Sequence, residues 1–299
     1  SAAATGRRSG NAGCRTTWGL RKVRTDLEPT LLLANDGGNL EAELRDDLEE
    51  ARWLTSYRDE FGHIHSIAAI RDADRIEHYQ QLLDGQSGLI ADGHHRYEVA
   101  RLYAEEQGAQ RGTAAACKLA VLVSLGSSEM TIDPIHRAVR APVDLERLRD
   151  FVVQEVPWHG RTGSGLALAV ATARQPALGV WAADGDPVIC TLDVERTLAR
   201  LSEPIPELTV TLLHSLLDEL GLGPDAASDG TVLYRSDPDK LYLEMAGGEV
   251  AASFWLPPMS AASLVEALSA CELLPPKSTR FLPKLASGLV WARHDSAIC

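Results

Sequence analysis

A chain of 299 residues with 45% hydrophobic content has apolar material for one large domain or two of ordinary size. It carries 29 Lys plus Arg against 42 Asp plus Glu, a formal charge of −13, which repels nucleic-acid backbones and disfavours DNA binding. No apolar run approaches the roughly 20 residues of a membrane helix, and the five scattered cysteines include no CxxC pair, so neither a zinc knuckle nor a disulfide framework is indicated. Reduced thiols in a cytoplasmic protein are the economical reading.

In chain order, residues 1–22 read as a disordered or non-native leader, with Arg7, Arg8 and Arg15 but no apolar stretch of a secretory signal. Leu27 to Ala34 reads as a turn followed by a short buried strand. Asn39 to Arg52 reads as an acidic helix with Leu40, Leu44 and Leu48 at four-residue spacing. Trp53 to Ala69 alternates about Glu60-Phe61-Gly62 as a hairpin. Asp72 to Leu83 is a second helix, capped by Asp72 or Asp74. Gly88 to Ala91 is a buried strand, and His94 to Gln107 is a helix that stops at Gly108. Lys118 to Leu125 is an apolar strand, after which Asp133 to Arg137 reads as a loop.

A second unit begins after Pro142, with a helix over Val143 to Val153. It then alternates strands at 178–182, 188–192, 232–235 and 251–256 with helices at 209–220 and 260–271. Mixed elements without a βαβ rhythm make the fold class α+β.

Three constellations stand out. In Ala91-Asp-Gly-His-His-Arg-Tyr-Glu98, Asp92 is placed to cap the helix and Gly93 allows close approach to its amides. His94, His95 and Arg96 add donors beside the positive end of the helix dipole. Positive side chains in a first turn cost up to about 1 kcal/mol unless an anion compensates them, which favours an anion site over an incidental surface helix. Pro275-Pro-Lys277-Ser278-Thr279 with Lys284 offers charge and hydroxyls without a Gly-rich loop, so a solvated loop and a phosphate site are equal readings. His136 and Arg137 lie in a polar pentad for which an exposed turn is an even alternative. His63 and His65 share a strand face, completed as a metal set only if Asp59 or Glu60 joins them, and the exposed hairpin is favoured. Asp92 and Glu98 are the carboxylates available to Mg²⁺. No Walker A, GxGxxG, HExxH or Ser–His–Asp order is present.

The 91–98 motif, together with Pro275-Pro-Lys-Ser-Thr, Pro283-Lys284 and Ser287-Gly-Leu-Val290, resembles the bacterial domain-of-unknown-function family 1015. The Asp133 to Arg137 pentad resembles that family's Pro-Thr-His-Arg segment, and Gly62 to His65 its Gly-x-x-His stretch. The family is itself similar to the ParB/sulfiredoxin-like superfamily, which includes free-serine kinases. The resemblance implies a ParB-like nucleotide-binding unit over 23–142 and a C-terminal α+β unit over 143–299, whose segment 275–291 returns to the site. It implies ATP or ADP with Mg²⁺, and phosphoryl transfer to a small metabolite such as serine. The phosphate-binding residues would be Gly93, His94, Arg96, Arg137, Lys277, Ser278, Thr279 and Lys284, and the catalytic ones Asp92, His95, Glu98 and His136. The alternative is a regulatory protein that binds a nucleotide without turnover, and a homodimer is a further expectation. The family's front section, with its Pro-Pro-Tyr-Asp and His-Glu-x-Thr segments, has no match in this sequence. If catalytic groups belong to that section, binding without turnover follows, and the lost strands leave an exposed sheet edge.

Overall fold

The computed structural model describes residues 19–59, 62–86, 88–125, 127, 130–199, 208–270 and 274–295. The chain divides into two compact units, residues 1–130 with 283–299, and residues 131–282. It passes from the first to the second between Met130 and Thr131 and returns between Leu282 and Pro283. The division falls earlier than the expected boundary after Pro142, because His136–Val139 is a strand of the second unit's sheet.

The first unit is built on a three-stranded sheet of β2 (Thr30–Ala34), β5 (Gly88–Asp92) and β6 (Ala120–Ser124), ordered β5-β2-β6. β2 runs antiparallel to β5 and parallel to β6. Its Leu31 and Leu33 are buried with Ile90. Helix α1 (Asn39–Glu49) follows β2, and buried Asp36 accepts from the Leu40 amide at 2.6 Å and from the Ser124 hydroxyl at 2.6 Å. Helix α2 (Ala73–Leu83) is capped by Asp72, whose carboxylate accepts from the Arg75 amide. Helix α3 (His94–Glu106) packs through Ala100 and Tyr103. The hairpin β3 (Trp53–Arg58) and β4 (Ile64–Ala68) forms as expected, although Glu60 and Phe61 of its turn lie outside the described residues. A short pair, β1 (Thr25–Asp26) with β15 (Ala292–Arg293), ties the end of the described chain to its start.

The second unit is a six-stranded antiparallel sheet ordered β12-β8-β13-β10-β11-β9, made of β8 (His136–Val139), β9 (Val152–Pro157), β10 (Ala177–Ala182), β11 (Val188–Leu192), β12 (Val232–Arg235) and β13 (Ala252–Trp255). Successive side chains alternate between its faces. Val139 and Phe254 enter a core with Leu212, Leu213 and Leu216 of the helix Thr209–Glu219. Ala138 and Trp255 enter a second core with Leu166 and Val170 of the helix Gly163–Thr172 and Leu241 of the helix Pro238–Ala246. β7 (Thr131–Asp133) pairs with β14 (Arg280–Leu282), with Thr131 opposite Leu282. The α+β class stands.

Two expectations fail here. Asp133 to Arg137 is not an exposed loop, since residues 136–139 form a central strand with every side chain buried. The expected helix over 143–153 is a 3-10 turn, Leu145–Phe151, that gives way to β9 at Val152. The β-branched pair Val152-Val153 favours the strand, which β11 then captures.

Candidate functional site

The strand–turn–helix at 88–106 forms as the sequence predicts, but its cap differs. Gly93 is the N-cap, with φ 92°, and no side chain caps the helix. The Asp92 carboxylate turns back instead and accepts from the Gly93 amide at 3.0 Å. The left-handed backbone at 93 suits glycine, and the start of α3 is left without a carboxylate of its own.

Arg96 organises what lies above that turn. Its guanidinium donates to the Pro29 carbonyl at 2.6 Å, and its two terminal nitrogens stand 3.3 Å from Glu28 and 3.5 Å from Asp92. Lys284 reaches the same Asp92 oxygen at 3.4 Å, and the Ser287 hydroxyl donates to Glu28 at 3.0 Å. Two cations, two carboxylates and a hydroxyl thus surround the Gly93 turn. Asp92, Glu28 and Lys284 are each about half exposed, at 45, 49 and 52%. Exposed pairs of this kind are worth roughly 0–1 kcal/mol each. Arg96 is thus held only weakly by these carboxylates, and its guanidinium has the fork geometry that carboxylate and phosphate oxygens both match.

The neighbouring expected residues divide. His95 is exposed beside the turn, whereas the His94 imidazole bonds the Ile90 backbone and burial holds it below the ordinary histidine range against the opposing pull of Asp92. Glu98 points elsewhere. Arg101 grips it with two bonds, at 3.0 and 2.7 Å, and this pairing holds its carboxyl below the usual range. Glu28 and Ser287 were not singled out from the sequence as site residues. Ser287 stood only within the Ser287-Gly-Leu-Val290 motif and Glu28 only within the Glu28-Pro29 turn, and nothing local ties either to residue 96.

His136, Arg137, Lys277, Ser278 and Thr279 belong to the second unit. His136 is 1% exposed and its Nδ1 accepts from the Leu256 amide at 3.1 Å. Burial, then the adjacent Arg137 charge, pushes its pKa down to about 4. It is a core histidine, which removes it from the catalytic set. Arg137 is fully buried as well, so it is not a phosphate ligand. Its guanidinium donates to the carbonyls of Ile135 and Lys277 and to His214 Nε2, and lies 4.6 Å from the Tyr234 ring centroid. The expected motif at 275–279 is therefore held by Arg137 through backbone carbonyls. Lys277 is exposed at φ 60°, while the Ser278 hydroxyl donates to the Pro275 carbonyl at 2.6 Å.

Glu60, the alternative third member of the hairpin's metal set, lies outside the described residues. Asp59 does meet both His63 and His65, at 3.2 and 2.9 Å, but these are hydrogen-bond distances. Among the described residues no group of three or more His, Cys, Asp or Glu is arranged to hold a metal ion. Cys117 and Cys190 are free thiols, and the other three cysteines lie outside the described residues. Among the described residues no helix is long and apolar enough to cross a membrane.

Residues 17–196, more than half of the chain, match the family model described as "Protein of unknown function (DUF1015)". The chain belongs to this family. The matched range holds the Gly93 turn, Arg96 and Glu28, and ends before the segment of Lys284 and Ser287. No curated protein matches the chain. Among solved structures it is similar to a conserved hypothetical protein from Pyrococcus furiosus, at 12% identity over 88% of this chain and 94% of that one, with a TM-score of 0.38. It is also similar to a free serine kinase in complex with AMP, at 15% identity over 86% of this chain and 88% of that one, with a TM-score of 0.40.

Proposed function

We propose that the first unit binds a nucleotide, with its phosphates at the amide-rich start of α3 between Arg96 and Lys284. The observation that carries this reading is the placement of the Arg96 guanidinium directly over Gly93, at a helix N-terminus that no side chain caps. Backbone donors, a bidentate cation and a second mobile cation converge there, the set that phosphate groups select. Asp92 and Glu28 supply the hard oxygen ligands that Mg²⁺ takes together with phosphate oxygens. Glu28 thereby replaces Glu98, which Arg101 occupies. The further reading is a small-molecule kinase, in which Arg96 and Lys284 neutralise charge on the transferred phosphoryl group and serine or another small hydroxyl compound accepts it.

Isothermal titration with ATP, ADP and CTP, with and without Mg²⁺, tests the binding. Heat with at least one nucleotide, lost in Arg96→Ala, is expected. Silence with all three overturns it. A second reading, binding without turnover, is favoured by the commitment of two expected catalytic groups, His136 to the Leu256 amide and Glu98 to Arg101. ³¹P NMR with ATP, Mg²⁺ and candidate acceptors including serine separates the two by the presence or absence of a phosphorylated product.

A further inference from the structure

A cleft of about 280 Å³ opens beside the turn, wholly within the first unit. Its apolar walls are Leu20, Val23, Leu27 and Val99, and it shares Glu28 and Arg96 with the site above. Val23 and Leu27 are 52 and 44% exposed, aliphatic groups left in water at the cleft. Val99 lies three residues beyond Arg96 on α3, so it continues the same helix face about 4.5 Å along the axis.

The charges in the cleft are already matched. Lys118 is largely buried, its ammonium 3.0 Å from Asp26 and donating to the Glu28 carbonyl at 2.9 Å, and Asp26 also accepts from the Leu119 amide. The cleft therefore has aliphatic walls and no spare cation, whereas the adjoining turn has spare donors and cations shared with exposed carboxylates. A ligand that fills both is anionic at one end, and uncharged and apolar at the other. The volume falls just below the roughly 300–1,000 Å³ typical of ligand pockets, which suits a group the size of one base and is too small for a dinucleotide.

We propose that this cleft receives the base of the nucleotide, against the aliphatic side chains of Leu20, Val23, Leu27 and Val99. This rests on the phosphate site proposed above. Titrations with ADP and with methyl diphosphate, both with Mg²⁺, separate the two, because the second ligand carries the phosphates without a nucleoside. ADP is expected to bind at least about tenfold tighter, the worth of burying one face of an apolar group. Leu27→Asn, at a half-exposed position, should remove most of that advantage and leave methyl diphosphate affinity unchanged, which also reports that the variant is folded. Equal affinities in the parent protein, or an ADP advantage untouched by both Leu27→Asn and Val99→Asn, overturn the cleft assignment while the phosphate site stands. If neither ligand binds, the phosphate site falls and the cleft assignment with it.

Discussion

The guanidinium of Arg96 lies so close over Gly93 that a Cβ at position 93 would stand 3.0 Å from Nε and 3.1 Å from Cζ. Gly93 thus has two reasons to be glycine, its φ of 92° and the charge seated on it. Gly93→Ala should cost about 1–3 kcal/mol through backbone strain and push Arg96 off the turn. Thermal unfolding should show the first effect and nucleotide titration the second. An alanine variant with parental stability and affinity would show that neither constraint operates.

If Mg²⁺ accompanies the nucleotide, Glu28 is the carboxylate proposed to meet it, whereas Glu98 is held by Arg101. Glu28→Gln should weaken nucleotide binding in the presence of Mg²⁺ and leave metal-free binding unchanged or stronger, since a carboxylate facing the phosphates is gone. Glu98→Gln should alter neither, because Arg101 holds that side chain on the exposed face of α3. Titrations of both variants at matched Mg²⁺ decide the point. The reverse pattern would return Glu98 to the site.

Lys277 holds φ 60°, a conformation that costs a side-chain-bearing residue about 1–2 kcal/mol. Its side chain is exposed, and its carbonyl accepts from Arg137 at 3.1 Å whatever residue stands there. Lys277→Gly should therefore raise stability by about 1 kcal/mol, read as a higher Tm. A lower Tm would mean that the lysine side chain itself supports the loop.

Two buried histidines set an acid limit. Burial, followed by the Arg137 charge, pushes both His136 and His214 down to about 4. Between about pH 4 and the unfolded value near 6.5, the unfolded chain binds more protons than the native one. Stability is complete above that window and declines as pH falls through it, by up to about 3 kcal/mol for each histidine. Urea unfolding at pH 7.5, 6 and 5 should show the decline. In His214→Gln, whose amide oxygen can still accept from Arg137, the slope should be shallower, and an unchanged slope would remove His214 from the account.

The strand–turn–helix was legible because its signals are local: an apolar strand, a glycine, then donors at the head of a helix. The reading failed where distant segments decide. His136 and Arg137 look like solvent residues, yet β12 and β13 enclose their strand, and one of the carbonyls that accept from Arg137 is that of Lys277. The helix Gly163–Thr172 is not among the expected elements, and the two glycines of its first turn are poor helix formers. The structure explains Gly163, since a Cβ there would lie 1.9 Å from the Pro238 carbonyl oxygen. Glu28 joins the site only through Arg96 and Ser287, the latter 259 residues away, a distance that no periodicity spans.

The second unit is an insertion whose two ends, Thr131 and Leu282, sit opposite each other in one strand pair. Synthesis therefore delivers Glu28, Asp92 and Arg96 first, then the whole second unit, and only afterwards Lys284 and Ser287. A nascent chain stopped within the insertion presents two carboxylates against one guanidinium, a surplus of negative charge facing any phosphate. The segment that follows the insertion supplies the lysine that balances it, so the charge balance of the turn waits on a residue made only after the whole second unit.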